Sequence, residues 1–222
     1  MSVTLPEELL LIVLDDVAGS VRAGRPALDF GLAGGQLLEL ALASRIDVVD
    51  KKVAVVDPRP VGDPDIDRAL ERIATSKRQR KPQDWVQALH KPLRAGYSDR
   101  LVKQGMVRLE NRRVLGIFPV RRFPAVDAAV ETETRGRLRS VLVEGADPDP
   151  RTAALVSLLR AADMVKKLFP DADRGAIKRR AKEVSEGEWA GAAVRKAVES
   201  VNAAVAGAVA AATAAGAASS ST

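Results

Sequence analysis

Residues 151–169 have the sequence RTAALVSLLRAADMVKKLF, the most apolar helical stretch of the 222-residue chain. Asp149 and Pro150 precede it, and these residue types suit the N-cap and first position of a helix. We therefore predict a helix over 151–169 at the centre of the core. Its large apolar side chains are Leu155, Val156, Leu158, Leu159, Met164, Val165 and Leu168.

Other helix signals surround this stretch. Thr4, Pro6 and Glu7 have the pattern of a capped helix start. Asp63 and Pro64 predict another start. Valines recur every three or four residues between 194 and 209, as on one apolar helix face. We predict a mainly α fold, a single globular helical domain over residues 1–212 and a disordered Ala/Ser tail over 213–222. Further helices are predicted at 32–43, 84–90, 97–104, 126–143, 176–184 and 188–212.

Two short β-hairpins interrupt the helices. Two strand-like runs, 46–49 and 53–56, flank the polar residues 50–52 and predict the first hairpin. Gly105 suits the end of a helix, because glycine adopts positive φ at little cost. The second hairpin is predicted to follow it, with strands at 106–109 and 114–118 and a polar turn at 110–113. Pro119 and Pro124 are expected to terminate strands.

The composition argues against several kinds of function. The chain has no Cys and a single His, His90, so no disulfide framework and no His-rich metal site are predicted. His90 stands alone and the sequence contains no nucleophile elbow, so no Ser-His-Asp arrangement is predicted. We therefore expect no enzyme and no cofactor. Residues 1–16 lack the basic start of a signal peptide, and the Ala-rich run 203–218 is too weakly apolar to predict a membrane span, so we expect a soluble, cytoplasmic protein.

Positive charge is concentrated in the middle of the chain. Residues 68–122 contain 15 Lys or Arg and 4 Asp or Glu, a net charge of +11, whereas the whole chain carries +6. The remainder therefore carries −5. Such polarity favours a polyanionic partner, either a nucleic acid or an anionic membrane. A merely solvated surface with scattered Arg is the alternative, and composition leaves it open.

Three functions remain open from these residues. The first is a peripheral adaptor that binds an anionic membrane lipid through the basic segment. The second is an oligomeric scaffold, because the second hairpin carries Val114, Leu115, Ile117 and Phe118, and exposed apolar patches mark interfaces. The third and least favoured is a nucleic-acid binder, in which the helix 97–104 and the hairpin would form the end of a winged helix.

From residue 5 to about residue 210 the chain resembles the Golgi phosphoprotein 3 (GPP34) family. The resemblance is carried by LPEELLLIVLD (5–15), GLAGGQLLELAL (31–42), LVKQGMV (101–107) and AALVSLLRAAD (153–163) in this order. It implies a mostly helical single domain with one protruding β-hairpin that serves oligomerisation. Family members in eukaryotes are peripheral proteins on the cytoplasmic side of Golgi membranes. They bind phosphatidylinositol 4-phosphate and the cytoplasmic tails of glycosyltransferases, which are membrane enzymes.

The resemblance also implies a lipid-phosphate site. Two basic residues of the family's pocket match Lys91 and Arg94, but its Trp and Arg match Gly24 and Ala33. Half of the pocket is therefore absent, and weaker, less selective binding is expected, with Arg22 or Arg25 as substitutes from the same loop. The Ala-, Val- and Arg-rich composition indicates a high-GC bacterial member, for which the natural anion would be another acidic lipid on the inner face of a membrane.

Overall fold

A computed structural model describes residues 3–14, 25–114 and 118–219. It is mainly α with two antiparallel hairpins, so the predicted fold class is confirmed. The helices are α1 (Leu5–Val13), α2 (Arg25–Leu42), α3 (Pro64–Ala74), α4 (Pro82–Leu89), α5 (Leu93–Lys103), α6 (Ala129–Leu142), α7 (Pro150–Ala161), α8 (Arg174–Glu186) and α9 (Ala192–Ser219), with a short 3-10 helix at Val165–Lys167. The strands are β1 (Ile46–Val49), β2 (Lys52–Val55), β3 (Glu110–Val114) and β4 (Phe118–Arg122).

Helix α2 is the central element, since it packs against α1, α3, α4, α5, α7 and α9. The sequence placed a loop at 22–29 and began this helix at residue 32, which is wrong. The helix begins at Arg25 and includes Pro26 in its first turn, where the missing proline N–H costs no intrahelical hydrogen bond. Gly34 therefore lies within the helix. A Cβ there would come 2.5 Å from Cγ2 of Val205 on α9, so glycine permits the close approach of the two helices.

The predicted helix over 151–169 is shorter in the structure. Residues 152–159 of α7 are all buried, as expected for a core helix. However, α7 ends at Ala161, and Asp163 adopts a φ of 52°. A right-handed helix cannot continue through this left-handed conformation. The chain then resumes in the 3-10 helix, whose Val165 is again buried.

The first hairpin agrees with the prediction. Strand β1 pairs with β2 in the register Ile46 with Val55 and Val49 with Lys52. The two turn residues, Asp50 and Lys51, have φ values of 50° and 62°. Positive φ at both positions is the geometry of a type I′ turn, which matches the natural twist of two paired strands.

The second hairpin has a different register from the predicted one. Glu110 pairs with Arg122 and Val114 with Phe118, so the polar residues 110–113 form strand β3 instead of a turn. Pro119 pairs with Arg113 inside β4 instead of terminating a strand. A two-stranded ribbon tolerates polar residues in β3 and a proline in β4, because each strand has one edge without a neighbouring strand. Beyond each other, β3 and β4 make few contacts with other elements, in keeping with a protruding hairpin.

Helix α9 is long and only partly packed. Val198, Val201, Val205 and Ala208 are buried where the helix crosses α2, α4 and α7. Its other end is mostly exposed and continues to Ser219, so residues 213–219 extend the helix where a disordered tail was expected. By length and composition alone, residues 192–218 are also apolar enough to cross a membrane, although no span was predicted. The buried valines make α9 a core helix of the domain.

Candidate anion-binding site

The predicted basic pair lies where α4 gives way to α5. His90 ends α4, and its Nδ1 lies 2.7 Å from the carbonyl oxygen of Gln87. The imidazole also contacts Phe30 of α2, with 4.9 Å between ring centroids. These contacts attach the connection to the central helix. Lys91 follows immediately and is exposed, and among the described residues its ammonium group has no ion-pair partner.

Arg94 lies one turn further on, in the first turn of α5. Its side chain is 33% exposed, and its Nε lies 3.8 Å from Oδ1 of Asp29 on α2. This separation is near the limit of a salt bridge, so the guanidinium keeps most of its hydrogen-bonding capacity. Sequence reasoning did not anticipate Asp29 as a partner, because that residue was assigned to a loop.

The start of α5 adds a favourable backbone potential. Pro92 is the N-cap and provides no side-chain hydrogen bond to the first turn. The N–H group of Ala95 donates to the carbonyl of Pro92 at 3.1 Å, while the positive end of the helix dipole remains directed toward solvent. Helix N-termini of this kind favour anions. Lys91, Arg94 and the helix terminus thus form one positively charged feature, here called the α5 anion site.

The other predicted site residues divide into two groups. Arg22 and Gly24 lie outside the described residues, and Arg25 is described only as the first residue of the α2 backbone. Ala33, at the position of the family's second pocket arginine, is fully buried in the core. A cation at this position would be taken from water into an apolar environment. The α5 anion site therefore receives no contribution from this part of α2.

The net charge of +11 does not form a single basic surface. Several basic residues of the segment 68–122 form ion pairs: Arg68 with Asp65, Arg100 with three acids, Arg108 with Glu110, and Arg121 with Asp99. Asp99 and Glu110 are already counted in the net charge, whereas Asp65 and the partners of Arg100 lie outside the segment. Among residues 68–111, the exposed Lys and Arg without an ion pair to a described residue are Arg72, Lys77, Arg78, Arg80, Lys81, Lys91 and Lys103. Local acidic partners, which the charge count of a segment conceals, account for the difference.

A buried cluster beneath the site was also missed by the sequence. Arg100 of α5 contacts Glu7 of α1 and both Asp63 and Asp65 at the start of α3. The hydrogen bond from Arg100 lowers the pKa of Asp63 although burial opposes it, and the same hydrogen bond is the main reason that the pKa of Arg100 is raised. The sequence signal for this cluster was Glu7, an acidic residue among the buried apolar residues of α1. The cluster fixes α5 on the domain.

Residues 3–14, 25–114 and 118–219 contain no group of three or more acidic or His side chains placed to hold a metal ion.

Comparison with known sequences identifies the family of the chain. A profile of the Golgi phosphoprotein 3 (GPP34) family matches residues 5–201. The chain belongs to this family.

The family assignment agrees with the capped, buried α1 and the central α2, both of which lie in the matched range. A curated relative is vacuolar protein sorting-associated protein 74 of Schizosaccharomyces pombe, 26% identical over 163 residues. The alignment covers 63% of this chain and 48% of the relative, so the chain spans about half the length of that GPP34-family protein.

Proposed function

We propose that the protein is a peripheral membrane adaptor, without enzymatic activity, that binds anionic lipid head groups at the α5 anion site. The observation that carries the proposal is the placement of Lys91 and Arg94 at the uncapped start of α5, where Asp29 is the one acid among the described residues that forms an ion pair with either of them. Membership of the GPP34 family supports it, because the resemblance implies phosphoinositide binding at these two positions.

We propose that exposed cations at the other end of α4 also face the membrane and add to reversible binding. A Lys or Arg close to an anionic membrane surface contributes about 1 kcal/mol. Lys77, Arg78 and Lys81 lie on the connection before α4 and carry no ion pair among the described residues. With Lys91 and Arg94 they supply attraction of several kcal/mol. Since this attraction is electrostatic, binding should weaken steeply as salt shortens the screening length.

The ligand is proposed to be an acidic phospholipid in general. Selective recognition of phosphatidylinositol 4-phosphate needs several convergent cations, and here the two other pocket positions of the family hold Gly24 and Ala33. We accordingly place the protein in the cytoplasm, on the inner face of a membrane. The cytoplasmic tails of membrane enzymes are the proposed client proteins, by analogy with the family.

Co-sedimentation with phosphatidylcholine vesicles, with and without phosphatidylglycerol or phosphatidylinositol 4-phosphate, tests the proposal. Lys91→Ala with Arg94→Ala should abolish binding to both acidic vesicles and leave thermal stability nearly unchanged. The matched control is Arg179→Ala with Lys182→Ala, which removes the same charge at the same spacing from α8. Equal binding by both double variants would contradict the site. A DNA shift at matched salt without vesicle binding would instead favour nucleic acid as the partner.

A second proposed property is self-association through the β3–β4 hairpin. The specific observation is its isolation, since the strands pair with each other and contact the helices little. Val114 and Phe118 form the last pair before residues 115–117, and Leu115 and Ile117 of the predicted patch lie outside the described residues. An apolar tip on such an arm would favour contact with a second copy of the chain.

A further inference from the structure

A cavity lies between α7, α8 and the first half of α9, on elements separate from the α5 anion site. Its volume is about 710 Å³, within the range of roughly 300–1,000 Å³ of small-molecule sites. Polar residues from all three helices line it, including Ser157 of α7, Lys178 of α8 and Asn202 of α9. This polar lining distinguishes the cavity from a void left by imperfect apolar packing.

Three polar atoms of the lining are buried without a protein partner. They are the Ser157 hydroxyl, Oδ1 of Asn202 and Nε of Arg195. Ser157 is only 2% exposed, so bulk water reaches it poorly. Buried polar groups in folded proteins are nearly always hydrogen-bonded. Each of these atoms therefore marks a position that ordered water or a ligand completes, and a ligand that displaces water must provide equivalent hydrogen bonds.

The charges of the lining favour an anion. Four cations line the cavity (Arg160, Lys178, Arg195 and Lys196) together with two acids, Glu186 and Glu199. Arg160 lies 4.0 Å from Glu186, and Nη1 of Arg195 lies 3.4 Å from Glu188. The ammonium groups of Lys178 and Lys196 have no ion-pair partner within the described part of the chain. The lining thus combines an excess of cations with neutral hydrogen-bonding groups.

We infer that this cavity binds a polyol phosphate. Lys178, Lys196 and Nε of Arg195 hold the phosphate of this ligand, because Lys and Arg are positively charged and can only donate hydrogen bonds. The hydroxyl groups of this ligand pair with Ser157 and Asn202. A hydroxyl can donate a hydrogen bond to Oδ1 of Asn202, and it can donate to or accept from the Ser157 hydroxyl. The same chemistry occurs in a soluble sugar or polyol phosphate and in the head group of a phospholipid such as phosphatidylglycerol.

Calorimetric titration with glycerol 3-phosphate and with inositol 1-phosphate tests the inference, with glycerol and inorganic phosphate as partial probes. At least one polyol phosphate should bind saturably and more tightly than either partial probe. Ser157→Ala should weaken that binding about fivefold, the value of one buried hydrogen bond. Ser200→Ala is the matched control, because the Ser200 hydroxyl donates to the Lys196 carbonyl within α9 and does not line the cavity.

A charge variant provides a second measurement. Lys178→Gln should weaken binding and reduce its salt dependence, whereas Lys182→Gln, one turn further along α8, should change neither. The absence of saturable binding by both polyol phosphates, or equal affinities of the parent and Ser157→Ala, would overturn the inference. Vesicles containing phosphatidylglycerol identify the source: lower vesicle binding by Ser157→Ala, with Lys91 and Arg94 intact, indicates a lipid head group, and unchanged binding indicates a soluble phosphate.

Discussion

Nε of Arg100 lies 2.9 Å from Oε1 of Glu7, a carboxylate side chain with no exposure to solvent. The two residues belong to α5 and α1 and are 93 positions apart in the chain. Arg100 also bonds to Asp63 at the start of α3 and approaches Asp65 at 3.3 Å. One guanidinium therefore pairs with three acids, Glu7 on α1 and Asp63 and Asp65 at the start of α3. Since Arg94 and Arg100 both belong to α5, this cluster holds in place the helix that carries Arg94.

Removal of Arg100 should be costly. Arg100→Met keeps much of the aliphatic volume but leaves Glu7 buried without its cation, and breaking such a pair costs about 3 kcal/mol. The measurement is chemical denaturation near neutral pH. Arg68→Met is the control, because the Arg68 side chain is 67% exposed in its bridge to Asp65 and such surface pairs contribute about 1 kcal/mol at most. Equal losses for both variants would show that the cluster is not important for stability.

The same cluster predicts how stability depends on acid. The Arg100 hydrogen bond lowers the pKa of Asp63 from its usual 3.8 even against burial. Ionised Asp63 therefore stabilises the fold fully above pH 3.8, and this contribution disappears as the pH falls through the lower folded pKa. Asp63→Asn retains helix-capping ability but should lower stability at neutral pH and flatten its decline on acidification.

Thermal unfolding from neutral pH down to about pH 3 measures this effect. The exposed Asp171 provides a control, since Asp171→Asn alters a carboxylate that makes no described ion pair. If Asp63→Asn and the parent lose stability in parallel as the pH falls, the ionisation of Asp63 does not contribute.

The close approach of α2 and α9 predicts opposite effects for two similar substitutions. Gly34→Ala places a Cβ 2.5 Å from Cγ2 of Val205 and 3.0 Å from Cδ1 of Leu158, and overpacking of this kind costs about 1–3 kcal/mol. Gly207→Ala, on α9, meets only the end of Gln83 at 4.0 Å. It should stabilise the helix by about 0.5–1 kcal/mol through higher helix propensity. Melting temperatures of the two variants check the prediction, and a rise for both would exclude tight packing at Gly34.

The hairpin prediction is tested by removing both strands together. Deletion of 110–115 would remove β3 and leave β4 unpaired, so the better variant replaces 110–122 with a short Gly/Ser linker. Its ends lie close, because the N–H of Arg108 donates to the carbonyl of Pro124 at 3.0 Å and Val107 bridges Ala125. Sedimentation should shift toward the monomer while the helical circular dichroism persists. A parent and variant of the same association state would contradict a role in self-association.

Features that depend on neighbouring residues were predictable from the sequence. The N-caps Asp63 and Asp149 accept hydrogen bonds from the first turns of α3 and α7 as expected. Gly105 has a φ of 76°, and Met106 N–H donates to the carbonyl of Leu101, the pattern that ends a helix with glycine. A helix cap involves residues only a few positions apart, so a short stretch of sequence contains both the capping residue and the backbone groups that it caps.

The less local features were predicted poorly or not at all. Polar residues 110–113 suggested a turn, but strand register depends on which residues face each other across two strands, and the polar sequence 110–113 has no apolar alternation to specify it. The start of α2 was missed because Pro26 resembles a helix breaker until its place in the first turn is known. The local sequence is compatible with a turn or a strand at 110–113, and with a loop or a helix start at Pro26.

The sequence by itself determined the mainly α class, the helix caps Thr4, Asp63 and Asp149, the apolar residues of the core and the family, because periodicity, capping and residue order are properties of the linear chain. Only the tertiary structure decided that Arg100 pairs with Glu7 while Lys91 has no ion-pair partner among the described residues, that Ala33 is buried in the core, and that Ser157 and Asn202 border one cavity. Charge pairing and cavity formation join residues tens of positions apart. They arise from how helices pack, which no local pattern specifies.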